Sequence, residues 1–271
     1  MRALVAAGLL AARGGAGAGG AGAGGAGAGG ASAGGASAGG SPALAFLHRD
    51  GSPGCVSCHA DLVGTGPPPA GAPLVAQVSR WDAMKDMAGV MEGFAAHVDP
   101  ALGAHLLLVG PAVAGVADDP EAAAVLRDCR GRREALPAAA RERVHLACMP
   151  MDDPDEQAAV VNALQRHAAV VTQKSLAEGF GLTVAEAMWK ARPVVASAVG
   201  GIQDQIDDGV DGVLLADPRD LAAFGAAVER LLADPGEARR LGAAARARVV
   251  DEFLGDRHLQ RWADLLGGLV G

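Results

Sequence analysis

The sequence predicts an α/β protein built on a doubly wound parallel sheet, and three observations carry that prediction. From residue 74 onward, short apolar runs alternate with helix-patterned segments, the alternation that covers a parallel sheet on both faces. The clearest run, at 168–172, is continuous and β-branched, which reads as a strand buried on both sides. A glycine-rich turn follows it directly and opens into a helical pattern, so a ligand-binding turn is expected outside the carboxyl ends of the strands.

The strands expected in order are 74–79, 105–110, 144–149, 168–172, 193–197 and 213–216, each a short apolar run with polar or turn residues at its ends. Helices are expected near 86–97, 120–130, 155–167, 184–191, 219–233 and 235–252, and a last amphipathic segment falls at 254–269. The chain before residue 74 is different. Between Gly14 and Gly40 the five-residue units Gly-Gly-Ala-Gly-Ala and Gly-Gly-Ala-Ser-Ala recur five times in all. With no large side chain to bury, such a stretch cannot offset its ordering entropy and is expected to be disordered. The organisation expected is therefore a low-complexity leader at 1–54, a linker at 55–73 and one folded domain at 74–271.

The chemistry concentrates in Lys174-Ser-Leu-Ala-Glu178-Gly-Phe-Gly-Leu-Thr-Val-Ala-Glu186. Gly179 and Gly181 allow close approach of backbone to a ligand, and the helix that follows points its first N–H groups and positive dipole end at whatever sits there, so anions are favoured. Thr183-x-x-Glu186 also has the spacing of a capping box, which would satisfy the same N–H groups internally. Glu178 lies between a strand end and a glycine turn, where no helix starts, and is expected to face a ligand. Arg80 and Lys85, at the end of the first strand, read in isolation as two solvated charges at a helix start.

Glu178 to Glu186 has the E-x7-E spacing of retaining GT-B glycosyltransferases of the glycogen-synthase-like family 4. The longer text Gln173 to Lys190, followed by Arg192-Pro-Val-Val-Ala-Ser-Ala-Val-Gly-Gly-Ile202, resembles the trehalose synthase branch of that family. A second segment, Val78-Ser-Arg80-Trp-Asp-Ala-Met-Lys85-Asp-Met-Ala-Gly-Val90, is similar to the strand-end stretch carrying an Arg and a Lys in R-x4-K spacing. The resemblance runs from about residue 74 to 266. It implies a Rossmann-like domain that is the C-terminal, donor-binding half of a GT-B fold, which takes a nucleoside-diphosphate glucose and transfers glucose to a sugar acceptor, free glucose in that branch, with no cofactor or metal. It further implies that Arg80 and Lys85 hold the diphosphate, that Glu178 meets the glucose hydroxyls, and that Glu186 meets the ribose. The backbone of Gly179, Phe180, Gly181, Leu182 and Thr183 would complete the anion cradle; Lys174, by its place at the same strand end, is a further candidate phosphate ligand or plain edge-of-sheet polarity. Retention by double displacement needs a carboxylate nucleophile and a second acid/base group. Only Glu178 is offered near the sugar, and the resemblance implies front-side attack instead. A trehalose phosphorylase using the same cations on phosphate is the alternative within the class.

A GT-B enzyme has two such domains, and the sequence before residue 74 leaves no room for a second sheet of that size. An acceptor domain on another chain, or a homodimer, is therefore the partner expected, and the segment at 254–269, which crosses back to the first domain in this architecture, is expected to expose its apolar face.

A net charge of −8 and the absence of a basic run with interleaved aromatics argue against nucleic acid. Apart from Met1-Arg-Ala-Leu-Val-Ala-Ala-Gly-Leu-Leu-Ala-Ala, which resembles a minimal signal peptide, no stretch has the character of a membrane-directed segment. Because nucleotide sugars are cytoplasmic substrates, the expected location is the cytoplasm. Cys55-Val-Ser-Cys58-His59 has the form of a haem-attachment motif, giving a c-type haem protein as the reading of another class, with Met84, Met87 or Met91 as nominal axial ligands. Cys55, Cys58 and His59 lack a fourth zinc ligand at good spacing, and no metal site is expected.

Overall fold

The computed structural model describes residues 1–12, 45–64, 66–113 and 120–270. The repeat between Gly14 and Gly40 lies outside the described residues. In chain order the elements are α1 (Arg2–Ala6), β1 (Ala45–Leu47), β2 (Pro53–Cys55), β3 (Asp61–Val63), β4 (Leu74–Val78), α2 (Met87–His97), β5 (His105–Pro111), α3 (Pro120–Ala135), α4 (Ala138–Arg141) and β6 (Val144–Met149). There follow α5 (Pro154–His167), β7 (Val170–Gln173), α6 (Leu182–Trp189), β8 (Val194–Ser197), α7 (Ile202–Gln205), β9 (Val213–Leu215), α8 (Leu221–Ala233), α9 (Pro235–Glu252) and α10 (Gly255–Val270).

Among the described residues, seven strands form one sheet in the order β3-β6-β5-β4-β7-β8-β9. All neighbours from β6 to β9 run parallel, with Val75 opposite Leu106 on one side and Val170 on the other, and β3 pairs antiparallel along the β6 edge. The chain moves outward from β4 through β5 to β6, then crosses back to β7 on the other flank. The topological switch point is therefore between β4 and β7, where the rule for open α/β sheets puts the ligand. Side chains alternate between two cores. Val75, Leu106 and Leu108 meet α2, α3 and α8 on one face. Leu74, Ala76, Leu107 and Val109 meet α5, α6 and α1 on the other.

Helix starts are set by local chemistry. Asp153, Asp220 and Asp234 each cap a helix by accepting from the first N–H groups, and Pro154 and Pro235 sit where a missing N–H removes nothing from the helix.

The structure differs from the sequence expectation before residue 74. Leu4, Leu9 and Leu10 are buried in the core that also contains Val160 and Leu164 of α5, so the signal-like apolar stretch packs onto the sheet's helical layer. The hairpin β1–β2 and the edge strand β3 likewise extend the folded unit into 45–63, the region read as leader and linker. Their runs are only three residues long and carry too little apolar periodicity to be recognised.

The haem geometry also fails. Met87 and Met91 are buried in the α2 core, so neither reaches Cys55-x-x-Cys58-His59, and Met84 is on the cleft loop. Cys55 ends a hairpin strand, while the backbone N–H groups of Ser57 and Cys58 donate to the Glu156 carboxylate. Burial and that carboxylate push the Cys58 thiol up to about 11. No group of three or more His, Cys, Asp or Glu able to hold a metal occurs among the described residues. Among them, too, no helix is long and apolar enough to cross a membrane.

The last helix, α10, carries Leu259, Trp262, Leu265, Leu266 and Leu269 at helical spacing, and all five are exposed.

Candidate active site

The loop after β4 and the turn after β7 meet at the switch point. Trp81, fully buried, donates its indole N–H to the Pro111 carbonyl at 2.9 Å and anchors the first loop. Arg80, just before it, stays 70% exposed and pairs with Asp82 at 3.0 Å. Asp82 also caps a 3-10 turn that ends at Lys85, and the Lys85 ammonium lies 2.5 Å from Glu178 Oε2 of the other turn. The two loops are joined again through the backbone, where Leu176 N–H donates to the Met84 carbonyl at 2.7 Å.

Glu178 is fixed from three sides. Besides Lys85, its Oε1 accepts from Gly179 N–H at 3.1 Å and its Oε2 lies 3.5 Å from Ser175 Oγ. Behind the turn, Gly201 N–H donates to the Gly179 carbonyl at 2.7 Å, and the Gln205 amide donates to the Phe180 carbonyl. This third loop, after β8, fits because Gly200 has no side chain: a Cβ there would lie 1.8 Å from the Glu178 carbonyl oxygen, and its φ of +51° is itself unfavourable for other residues.

Arg80, Lys85, Glu178, Phe180, Gly181, Leu182 and Thr183 line one open cleft of about 350 Å³. Gly179 forms the turn beside it. Helix α6 begins at Leu182 with Gly181 as its N-cap at φ +85°, so its first N–H groups have no carbonyl within the helix to bond. No side chain caps it. The Thr183 hydroxyl instead donates to Gln173 Oε1 at 2.9 Å, so the capping-box geometry is not formed and the helix start remains open to an anion.

Two residues named from the sequence do not reach the cleft. Lys174 is fully buried, with its ammonium on the Asp86 carboxylate, and so lies beneath the site rather than in it. Glu186 sits farther along α6 on its exposed side, where the fully buried Gln165 donates to its Oε2 at 3.2 Å.

Sequence reasoning missed the support beneath the cleft. Gln77, buried in β4, donates to the Lys85 carbonyl at 2.8 Å, while its Oε1 accepts from Thr172 Oγ1 at 3.3 Å and from Lys174 N–H at 3.2 Å. The signal available was one amide in an otherwise apolar strand, since a buried amide requires partners.

The sequence profile described as Glycosyl transferases group 1 matches residues 154–248, the stretch that supplies the β7–α6 turn. The chain carries a group 1 glycosyl transferase domain. It is 37% identical over 212 residues to the trehalose synthase of Pyrococcus horikoshii, covering 73% of this chain and 45% of that protein. The trehalose synthase of Rubrobacter xylanophilus is 38% identical over 208 residues, covering 73% and 44%. Among solved structures, the sucrose-phosphate synthase of Thermosynechococcus elongatus superposes with a TM-score of 0.59 at 30% identity, covering 74% of this chain and 46% of that one. The chain thus spans about half the length of the curated relatives it matches. Sheet order and similarity together give the Rossmann-like C-terminal half of a GT-B glycosyltransferase fold.

Proposed function

We propose that this chain is the donor-binding half of a retaining glucosyltransferase of trehalose synthase type, taking a nucleoside-diphosphate glucose. The observation that carries the reading is the convergence of Arg80, Lys85 and Glu178 with the uncapped start of α6 on one cleft at the switch point. Departure of a nucleoside diphosphate builds charge on its β-phosphate, and preorganised cations at that place stabilise the transition state. Arg80, exposed and able to swing, would clamp the diphosphate, and Lys85 would exchange its partner Glu178 for a phosphate oxygen. Glu178, so released, would accept hydrogen bonds from glucose hydroxyls, and the N–H groups of Leu182 and Thr183 would complete the anion cradle. With two side-chain cations in the cleft, no metal is required in this reading.

Among the described residues lining the cleft, Glu178 is the one carboxylate. A double displacement needs two. The arrangement therefore supports front-side transfer, in which the acceptor hydroxyl approaches on the face of the departing phosphate and gives it the proton. Glu186, outside the cleft lining and held by Gln165, would meet the ribose where the nucleotide extends past the diphosphate. The reading places the work in the cytoplasm with the nucleotide-sugar pool, and assigns the exposed apolar face of α10 to packing against the surface that supplies the acceptor site.

Calorimetric titration with ADP-, UDP- and GDP-glucose tests this directly. Saturable binding that disappears in Arg80→Ala is expected; a folded protein that binds none of the three would overturn the proposal. Transfer supported by glucose 1-phosphate without any nucleotide would instead identify a phosphorylase.

A further inference from the structure

At the opposite edge of the sheet, where β4, β7 and β8 begin, lies a hollow of about 730 Å³, twice the volume of the donor cleft. That is the size of a small-molecule pocket. Its walls are apolar, formed among others by Leu74, Pro193, Leu231 and Leu232, and its charged side chains, Arg192 and Arg239, are both cationic. In a chain of net charge −8 that is a local excess of the opposite sign.

Neither guanidinium has a carboxylate partner among the described residues. The acidic groups on the neighbouring helix are engaged elsewhere: Asp234 caps α9 through Gly236 and Glu237 N–H, and Glu237 pairs with Arg230. Arg192 donates one bond, from Nη1 to the Ala168 carbonyl at 3.3 Å, and its Nε is buried without a partner. Burial and the nearby charge of Arg166 both act against its charged form, so an anion arriving there would relieve an existing deficit. Arg239 is exposed on α9 and lines the hollow together with Pro235 and Ala238 of the same helix.

We propose that this hollow is a second ligand site, separate from the donor cleft, for a small organic anion with an apolar body: a carboxylate or phosphate monoester held by Arg192 and Arg239 over the leucine and proline walls. Its recognition has two parts. The planar guanidinium groups suit a carboxylate or phosphate in bidentate contact, and the walls reward the apolar remainder. An inorganic anion supplies only the first part and a neutral alcohol only the second. The ligand would rest against Ala169, at the amino end of β7, whose carboxyl end carries the Gln173 to Glu178 turn of the donor cleft.

Titration calorimetry of the full chain with phenyl phosphate and with hexanoate, set against inorganic phosphate and benzyl alcohol, tests the assignment. Saturable binding of both amphipathic anions is expected, with inorganic phosphate and benzyl alcohol at least about tenfold weaker. Arg192→Gln and Arg239→Gln should each weaken the anions by about tenfold, while Arg80→Ala leaves them unchanged. Because Arg239 is exposed, its replacement does not depend on repacking and reads the charge alone. Absence of saturable binding, equal binding of benzyl alcohol, binding undiminished in Arg239→Gln, or binding lost in Arg80→Ala would each overturn the proposal. The last of these would assign the anions to the donor cleft.

Discussion

The ammonium of Lys174 is fully buried against the carboxylate of Asp86, beneath the cleft in which Lys85 meets Glu178. Asp86 is held there at φ +46° while it also caps α2 through Gly89 N–H, so one residue joins the first loop, the second loop and a helix start. The two ion pairs differ in setting: the lower one bridges the two loops outside the cleft lining, and the upper one lines the cleft.

Removing one partner of a buried pair leaves an uncompensated charge, which costs about 3–5 kcal/mol. Lys174→Ala should lower stability by that order in urea denaturation, whereas Arg80→Ala, at an exposed position, should change it by less than about 0.5 kcal/mol. A Lys174→Ala protein as stable as the parent would remove Lys174 from the supporting structure.

Glu178→Gln takes away the partner that Lys85 holds at 2.5 Å. With Lys85 released for phosphate, pyrophosphate and nucleoside diphosphates should bind at least as tightly as before. Preference for the glucose-bearing nucleotide over the bare diphosphate should fall by about tenfold. Parallel loss of both ligands would show that Glu178 only maintains the turn.

Gly200→Ala would drive a Cβ into the Glu178 carbonyl and force an alanine to φ +51°. The turn from Glu178 to Gly181 must move, so nucleotide-sugar affinity should drop by more than about tenfold, with destabilisation of about 1–3 kcal/mol. Gly209→Ala, also at positive φ but facing open space, is the control for strain without displacement. Equal affinity loss in the two variants would refute the role assigned to close packing.

His145 gives a pH dependence of known sign. Its Nδ1 lies 2.9 Å from the Gly66 carbonyl and must donate to it, so its Nε2 accepts from His105 Nδ1 at 2.9 Å. Burial, with the neighbouring His105, lowers His145 to about 4. The folded protein then binds fewer protons than the unfolded chain between the ordinary histidine value and about pH 4. Stability is retained above about pH 6.5 and falls as pH drops toward 4, by at most about 3 kcal/mol from this group. Denaturation measured from pH 7 to 4.5 should show that decline, and His145→Gln should flatten it.

Addition of EDTA should leave nucleotide-sugar affinity unchanged if, as proposed, Arg80 and Lys85 supply the positive charge. A metal-dependent titration would require a different account of the diphosphate site.

Much of the domain was legible in the chain itself. The continuous apolar runs located β4 to β9 to within about two residues because strands buried on both faces need no partner to be recognised. The turn with Glu178, Gly179 and Gly181 was legible for a related reason: its glycines and carboxylate make no sense as a helix or a strand. Three-residue strands such as β3, and the apolar segment around Leu4 and Leu9, were not, since their meaning lies in what they pack against.

The sequence by itself determined the α/β class and the strand-to-helix turn after β7, while the family resemblance pointed to Lys85 beside that turn, where it meets Glu178. These follow from local periodicity, from where glycine is tolerated and from motif spacing. Only the tertiary structure decided which charges face the cleft. Lys174 is four residues from Glu178, yet one is sealed against Asp86 and the other meets Lys85 at the surface of the cleft. The direction of a side chain at a strand end is set by the loop that crosses over it, and for Lys174 that loop comes from 88 residues earlier in the chain.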